Sequence, residues 1–309
     1  MKKVFIDGSA GTTGLRIRER LAARSDIELL ILSEEKRKDS AARREALNNA
    51  DVAFLCLPDD AAREAVAMIE NPHTAVIDTS TAYRTANGWI YGFPELCEDR
   101  AALATAKRVA NPGCHASGFI ALVAPLVRAG LLEKTAHLSA FSLTGYSGGG
   151  KKMIAEYEGA ERAAALDAPR QYALTQKHKH LPEMQAVCGL DVAPIFSPIV
   201  ADYYAGMEVT VPLFADAVKG SVAEIAEIYQ QTYQRGLVRF LPTMGEGGLL
   251  AGNGMAGRDD MEIGVLGNDE RILLVARFDN LGKGASGAAI QNMNILLGTD
   301  EAAGLVTGE

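Results

Sequence analysis

One cysteine carries the most specific chemical signal in the chain. Cys114 follows Asn111-Pro112-Gly113, a turn sequence that closes one apolar segment and opens another, Phe119 to Val127. A helix is predicted to begin at Cys114. Its sulfur then faces backbone N–H groups without intrahelical partners, at the positive end of the helix dipole, and both favour thiolate over thiol. Position alone suits a buried structural cysteine as well, so the rest of the chain must decide. A nucleophilic thiol needs a proton donor or acceptor. The run Lys177-His178-Lys179-His180-Leu181-Pro182-Glu183 supplies candidates. Pro182 suits the first turn of a helix, with Glu183 beside it, which leaves His180 at the junction, free to point into a cleft. His180 is therefore preferred to His178 and His115 as the acid–base partner. His178 and His180 as a metal pair would need a third ligand, and none is evident, so no metal is expected.

A glycine-rich run near the N-terminus is the second signal. Val4 to Asp7 reads as a short buried strand and Leu15 to Ala23 as a helix, with Gly8-Ser9-Ala10-Gly11-Thr12-Thr13-Gly14 between them. In that order the glycines let backbone N–H groups approach a pyrophosphate at a helix N-terminus. The spacing is GxxGxxG rather than GxGxxG. The whole run, Gly8 to Gly14, is the expected dinucleotide cradle, and a tight turn without a ligand is the alternative. The next strand, Glu28 to Leu32, ends in Ser33, where an NAD-binding turn commonly places an acid for the ribose 2′-hydroxyl. Lys36, Arg37 and Lys38 follow. A hydroxyl beside cations suits a 2′-phosphate, so Ser33, Lys36 and Arg37 favour NADP. Glu34 and Glu35 weigh the other way, and a solvated loop carries the same residues.

The elements that must position these groups follow in order. Val52 to Leu57 is near-continuously apolar, as a buried parallel strand is, and a helix from Asp60 to Ile69 follows it. Ala75 to Asp78 is a fourth strand, ending in Thr79-Ser80-Thr81-Ala82-Tyr83-Arg84. Ligands sit at strand carboxyl ends in open α/β sheets, and Arg84 is suited there to a phosphate or carboxylate. Arg108 to Ala110 leads into the Cys114 turn. Pro125 is expected to kink or break the helix that follows. Beyond about Gly130 the character changes. His137 to Thr144, Phe196 to Pro198, Met207 to Leu213, Ile263 to Leu266 and Arg271 to Phe278 read as strands, and Val222 to Gln234 as an amphipathic helix. That pattern predicts a largely antiparallel α+β domain. Gly145-Tyr146-Ser147-Gly148-Gly149-Gly150-Lys151-Lys152 reads as a mobile backbone with two cations, suited to an anionic substrate. Glycines open a last helix, Ala285 to Leu297, whose small residues suit close packing on the N-terminal domain. The expected division is residues 1–113 with 280–309, and residues 114–279.

Composition sets the outer limits. The chain has 309 residues and a formal net charge of −8, which argues against nonspecific nucleic-acid binding. No apolar stretch is long enough to span a membrane, and the N-terminal apolar run is too short for a signal peptide. Cys56, Cys97, Cys114 and Cys188 form no CxxC pair, which fits a reduced, cytoplasmic compartment.

Taken together, the glycine run, Asp78 to Arg84, Tyr91-Gly92-Phe93-Pro94-Glu95, Asn111 to Cys114, His178 to Glu183 and Lys283-Gly284-Ala285-Ser286-Gly287 give the sequence a resemblance. It resembles the short N-acetyl-γ-glutamyl-phosphate reductases, relatives of the aspartate-β-semialdehyde dehydrogenases, over essentially its whole length. Tyr146-Ser147-Gly148-Gly149-Gly150-Lys151 departs from the long type, which shows a small residue before the serine and an alanine within the glycines. The resemblance implies an NADP-binding Rossmann domain, an α+β catalytic and dimerisation domain, and a homo-oligomer, dimer or tetramer. It implies that Cys114 attacks an acyl phosphate, that NADPH reduces the thioester, and that His180 handles the proton, in arginine biosynthesis. Arg84, Ser147 and Lys151 would contact phosphate or carboxylate. Asn280, Lys283 and Gly284 would lie near the nicotinamide, and Glu183 would orient substrate or His180. Aspartyl phosphate and acetyl-aminoadipyl phosphate are the rival substrates, and a non-catalytic NADP sensor is the rival class.

Overall fold

The computed structural model describes residues 1–308. The chain divides into two compact units, Met1–Pro112 with Ala285–Val306, and Gly113–Gly284 with the last residues.

The first unit alternates strands and helices: β1 Lys2–Asp7, α1 Thr12–Leu21, β2 Ile27–Leu30, α2 Ser40–Asn49, β3 Val52–Leu55, α3 Asp59–Ala67, β4 Ala75–Asp78, β5 Ile90–Tyr91, α4 Arg100–Thr105 and β6 Arg108–Ala110. The strands form one parallel sheet in the order β2-β1-β3-β4-β6-β5. Apolar runs without alternation are explained by burial on both faces. Val4, Ile6, Phe54 and Ile77 enter one core with Ile17 and Leu21 of α1. Phe5, Ala53, Leu55 and Val76 enter the other with Leu47 of α2 and Ala62 and Ala65 of α3. Period-two side-chain direction thus divides each strand between two helix layers.

The second unit contains α5 Cys114–Arg128, β7 Ser139–Gly145, α6 Gly150–Glu158, β8 Arg170–Gln171, α7 Leu181–Cys188, β9 Ile195–Ala201, β10 Met207–Phe214, α8 Val222–Thr232, β11 Val238–Phe240, β12 Met261–Gly267 and β13 Arg271–Phe278. Its sheet runs β11-β12-β13-β10-β7-β9-β8. It is mixed rather than uniformly antiparallel, because β7 pairs with β9, and β11 with β12, in parallel. The inner face carries Val209 and Phe278 against α5. A Cβ on Gly118 would lie 2.5 Å from Val209 Cγ2, so that glycine lets the helix sit down on the sheet. The outer face is unusual in exposing Phe141, Ile195, Phe214 and Leu273.

Of the kink or break expected at Pro125, the break does not occur, and α5 continues to Arg128. Proline removes the N–H that would bond the carbonyl four residues back, here Ala121. That carbonyl accepts instead from Tyr233 Oη at 2.6 Å, and the next one, Leu122 O, accepts from Tyr229 Oη at 2.6 Å.

The last helix, α9 Gly287–Leu297, belongs to the first unit, where Ala289, Ile290 and Met293 join the core beside α1. It starts two residues later than expected, after a π-helical turn, Gly282–Ser286. The amide nitrogens of two of its buried asparagines are satisfied. Asn292 Nδ2 donates to Gly92 O at 2.8 Å, and Asn294 Nδ2 to Glu301 O at 3.0 Å. Among the described residues no helix is long and apolar enough to cross a membrane.

Candidate active site

Cys114 is the first residue of α5, half-buried, with Gly113 as the extended N-cap. The turn before it is pinned from another element. Gly113 N–H donates to Glu183 Oε1 at 2.8 Å, and Glu183 lies buried in the first turn of α7. Glu183 thus reaches the backbone of the nucleophile's turn. Gly284 is close by as well: a Cβ there would lie 2.9 Å from Cys114 Cβ. Gly284 and the buried Lys283 lie in the Gly282–Ser286 turn, which Asp279 anchors by accepting from Leu281 N–H at 2.7 Å. The other cysteines offer no rival. Burial pushes the Cys56 thiol up to about 12 and the Cys188 thiol higher still, and Cys97 Sγ donates to Asp99 O at 3.2 Å.

His180 is the N-cap of α7, as its place before Pro182 predicts. Its backbone N–H donates to His178 Nδ1 at 3.2 Å, and the two rings stand 4.7 Å apart edge to face. His115 closes the group, 5.6 Å from each of the other two rings. Both His115 nitrogens are held, Nδ1 by Ser142 Oγ at 2.7 Å and Nε2 by Tyr172 Oη at 2.7 Å. Burial, then the neighbouring His178 and Lys179, lowers its pKa to about 3, so this imidazole stays neutral. The Tyr172 phenol is raised by burial and then by the charge of Cys114, which puts that ring within electrostatic reach of the sulfur. Sequence reading missed Tyr172 and Ser142, which stand in an unremarkable strand and a polar loop. Among the described residues no three His, Cys, Asp or Glu side chains converge as metal ligands.

The glycine-rich segment after β7 is not a mobile loop. A 3₁₀ turn, Tyr146–Gly149, leads directly into α6. Gly145, Tyr146 and Ser147 donate their N–H groups to Gly206 O, Tyr203 O and Tyr204 O at 2.9–3.0 Å. A Cβ on Gly145 would lie 2.5 Å from Tyr204 O, so glycine here serves close approach rather than flexibility. Ser147 is buried and accepts from Asn280 Nδ2 at 3.0 Å, while Asn280 Oδ1 accepts from Gly206 N–H at 2.9 Å. Asn280 therefore ties β13's exit to this turn. Lys151 is exposed in the first turn of α6.

In the first unit the glycine turn lines a cavity of about 290 Å³. Gly8 has φ +88°, and a Cβ there would strike Cys56 O at 2.2 Å. One on Gly14 would lie 2.5 Å from Gly8 O. Gly8, Ser9 and Ala10 form part of the wall; Gly11, Thr12 and Thr13 lead away from it into α1. The opposite wall carries Leu32, Arg37 and Lys38, while Ser33 and Lys36 lie outside the lining. Arg37 is paired through Nε with Glu34. Sequence reading missed Arg43, a cavity residue on α2, and its partner Asp7. A cradle that a Cβ would fill, faced by cations, fits a dinucleotide. Arg84 lies near the end of β4 and is largely committed to backbone: Nε donates to Asn111 O and Nη2 to Thr79 O, each at 3.1 Å.

Residues 3–104 match the semialdehyde dehydrogenase NAD binding domain, and residues 114–280 the semialdehyde dehydrogenase dimerisation domain. The chain is 46% identical over 311 residues to N-acetyl-gamma-glutamyl-phosphate reductase 2 of Pseudomonas putida, covering 97% of this chain and 98% of that one. It is 48% identical to N-acetyl-gamma-glutamyl-phosphate reductase of a Chelativorans species, covering 96% and 98%. The chain belongs to the N-acetyl-γ-glutamyl-phosphate reductase family. The reductase fold is shared more widely. Aspartate semialdehyde dehydrogenase II of Vibrio cholerae superposes with a TM-score of 0.72 at 16% identity, over 96% of this chain and 98% of that one.

Proposed function

We propose that Cys114 is the nucleophile with which the chain carries out its family's reaction, NADPH-dependent conversion of N-acetyl-γ-glutamyl phosphate to N-acetylglutamate 5-semialdehyde and phosphate. The observation that carries this reading is the half-buried Cys114 at the start of α5, its turn held by Glu183 of the helix that His180 caps, in a chain whose fully buried thiols, Cys56 and Cys188, are raised by burial. The Cys114 sulfur forms a bond to the acyl carbon, and the C–O bond to phosphate breaks. A thiol suits the task, because a thioester accepts hydride where a carboxylate does not. NADPH, bound on the glycine turn, supplies that hydride. His180 gives a proton to the substrate oxygen as the carbon becomes tetrahedral and takes it back as the aldehyde leaves and the thiolate returns. Glu183 holds the Gly113 peptide, and N–H groups at the start of α5 stabilise the oxyanion. Ser147, Lys151 and Arg84 remain the candidates for substrate anions, with Ser147 and Arg84 already engaged within the protein.

The test runs the reaction backwards. Purified protein should reduce NADP with N-acetylglutamate 5-semialdehyde only when inorganic phosphate is present, and should leave aspartate semialdehyde untouched. Turnover of aspartate semialdehyde alone would reassign the substrate, and turnover without phosphate would remove the acyl-phosphate chemistry.

The same reading makes the protein a cytoplasmic homodimer. Its support is the apolar outer face of the second unit's sheet, where Phe141 stands opposite Ser197 on β9 and Pro212 opposite Leu273 on β13. Phe141→Lys should shift sedimentation from dimer to monomer. An unchanged sedimentation coefficient would place the interface elsewhere.

A further inference from the structure

The first unit holds a buried ion pair that the reaction chemistry above does not use. Asp7 ends β1, one residue before the glycine turn, and is 4% exposed; Arg43, in the first turns of α2, is 9% exposed. Arg43 Nε lies 3.1 Å and Nη2 2.8 Å from Asp7 Oδ2, and Nε lies 3.3 Å from Oδ1. This is the side-on fork. It uses one edge of the guanidinium and leaves the other edge, Nη1 and the second proton of Nη2, for a further anion. Both residues line the cavity that begins at Gly8, Ser9 and Ala10 and ends at Leu32, Arg37 and Lys38.

Two of those walls have separable roles in a doubly wound sheet. The glycine turn faces the pyrophosphate, and the segment after the second strand faces the adenosine ribose. Arg43 follows that segment in sequence and lies against the cavity from α2. The exposed cations of the segment are poor determinants of position. Arg37 is already paired with Glu34 and both are well exposed, which screens their charge. Arg43 differs, being buried and fixed by a two-point contact before any ligand arrives. A preorganised arginine loses little side-chain freedom on binding, and its planar fork matches a phosphate better than an ammonium does.

We propose that Arg43 is the residue that reads the cofactor's 2′-phosphate, and that Asp7 acts as its positioning partner by occupying the guanidinium's other edge. Selectivity for NADPH over NADH then resides mainly in a helix residue rather than in the loop after β2. This rests on the reading that NADPH is the cofactor.

The experiment uses binding rather than turnover, with 2′,5′-ADP and 5′-AMP as probes that differ by the 2′-phosphate, measured by calorimetry on the full chain. Wild-type protein should prefer 2′,5′-ADP. Arg43→Gln should weaken 2′,5′-ADP about tenfold or more, the size expected for loss of a charge-assisted fork, and leave 5′-AMP nearly unchanged. Arg43→Lys keeps the charge and guards against a folding failure of the first variant. One ammonium cannot hold Asp7 and a phosphate in the same geometry, so it too should lose most of the preference. Equal weakening of both probes would overturn the assignment in favour of a general structural role. A preference that survives in Arg43→Lys but vanishes in Arg37→Gln or Lys38→Gln would return the 2′-phosphate to the loop. A wild-type protein indifferent to the 2′-phosphate would overturn the NADPH reading itself, and this assignment with it.

Discussion

At the scale of single residues, burial does most of the chemical sorting. Three histidines crowd one corner of the second unit, and His115, bonded at both nitrogens and neutral, is set apart from His178 and from His180 at the head of α7. The same burial writes a pH dependence. His115 falls from an ordinary 6.5 to about 3, so the unfolded chain binds the extra proton between those values, and stability drops as pH falls from 6.5 toward 3. Asp78 has the opposite sign. Burial raises it from 3.8 to about 6, against the pull of a 2.7 Å bond from Ser80 Oγ and the nearby charge of Arg84. The folded chain holds that proton longer, so the group's cost appears as pH rises through 6 and is absent below 3.8. Asp78→Asn should therefore raise the melting temperature at pH 8, by up to ~3 kcal/mol of stability at two pK units, and change it little at pH 4. Equal effects at both pH values would show that the charge is not what costs. The placement of Cys114 at a helix start, of His180 at the head of α7 and of the glycine turn after β1 was legible from residue type and spacing. The partners that fix them were not, because Glu183 meets Gly113, and Arg43 meets Asp7, only after the chain has folded.

At the scale of elements, two departures from sequence expectation have one cause, which is that a distant group supplies what local sequence lacks. Pro125 cannot bond Ala121 O, and Tyr233, at the C-terminal end of α8, does so instead. Glycines around Ser147 predict mobility, but Tyr203, Tyr204 and Gly206 fix their backbone. Local propensity reports what a segment would do alone, and neither segment is alone. The helix case is open to measurement. Tyr233→Phe should leave Ala121 O buried without its donor and cost ~1–3 kcal/mol in urea denaturation. Tyr229→Phe should cost less, since the Leu126 N–H remains within helical register of Leu122 O. In a Pro125→Ala background, where the N–H returns, the Tyr233 effect should shrink. If it stays the same size, the hydroxyl is not replacing the missing bond. Most strands, by contrast, were readable to within a few residues, although the short β5, β8 and β11 were not. Arg271–Phe278 and Arg108–Ala110 match their expected bounds.

At the scale of the whole molecule, the proposed reaction assigns one part to each unit. The first presents a close-packed glycine turn and a basic cavity, and the second a half-buried thiol at the start of α5 and a histidine at the head of α7. This division makes acyl transfer separable from reduction. The most direct measurement is to mix the protein with N-acetyl-γ-glutamyl phosphate in the absence of NADPH, quench within the first turnover, and analyse phosphate and intact mass together. Release of one phosphate per chain, with the acyl group on the peptide containing Cys114 and none on Cys114→Ser, is the result predicted here. Phosphate that appears only once NADPH is added, or an acyl group on any other residue, would contradict the account at its centre.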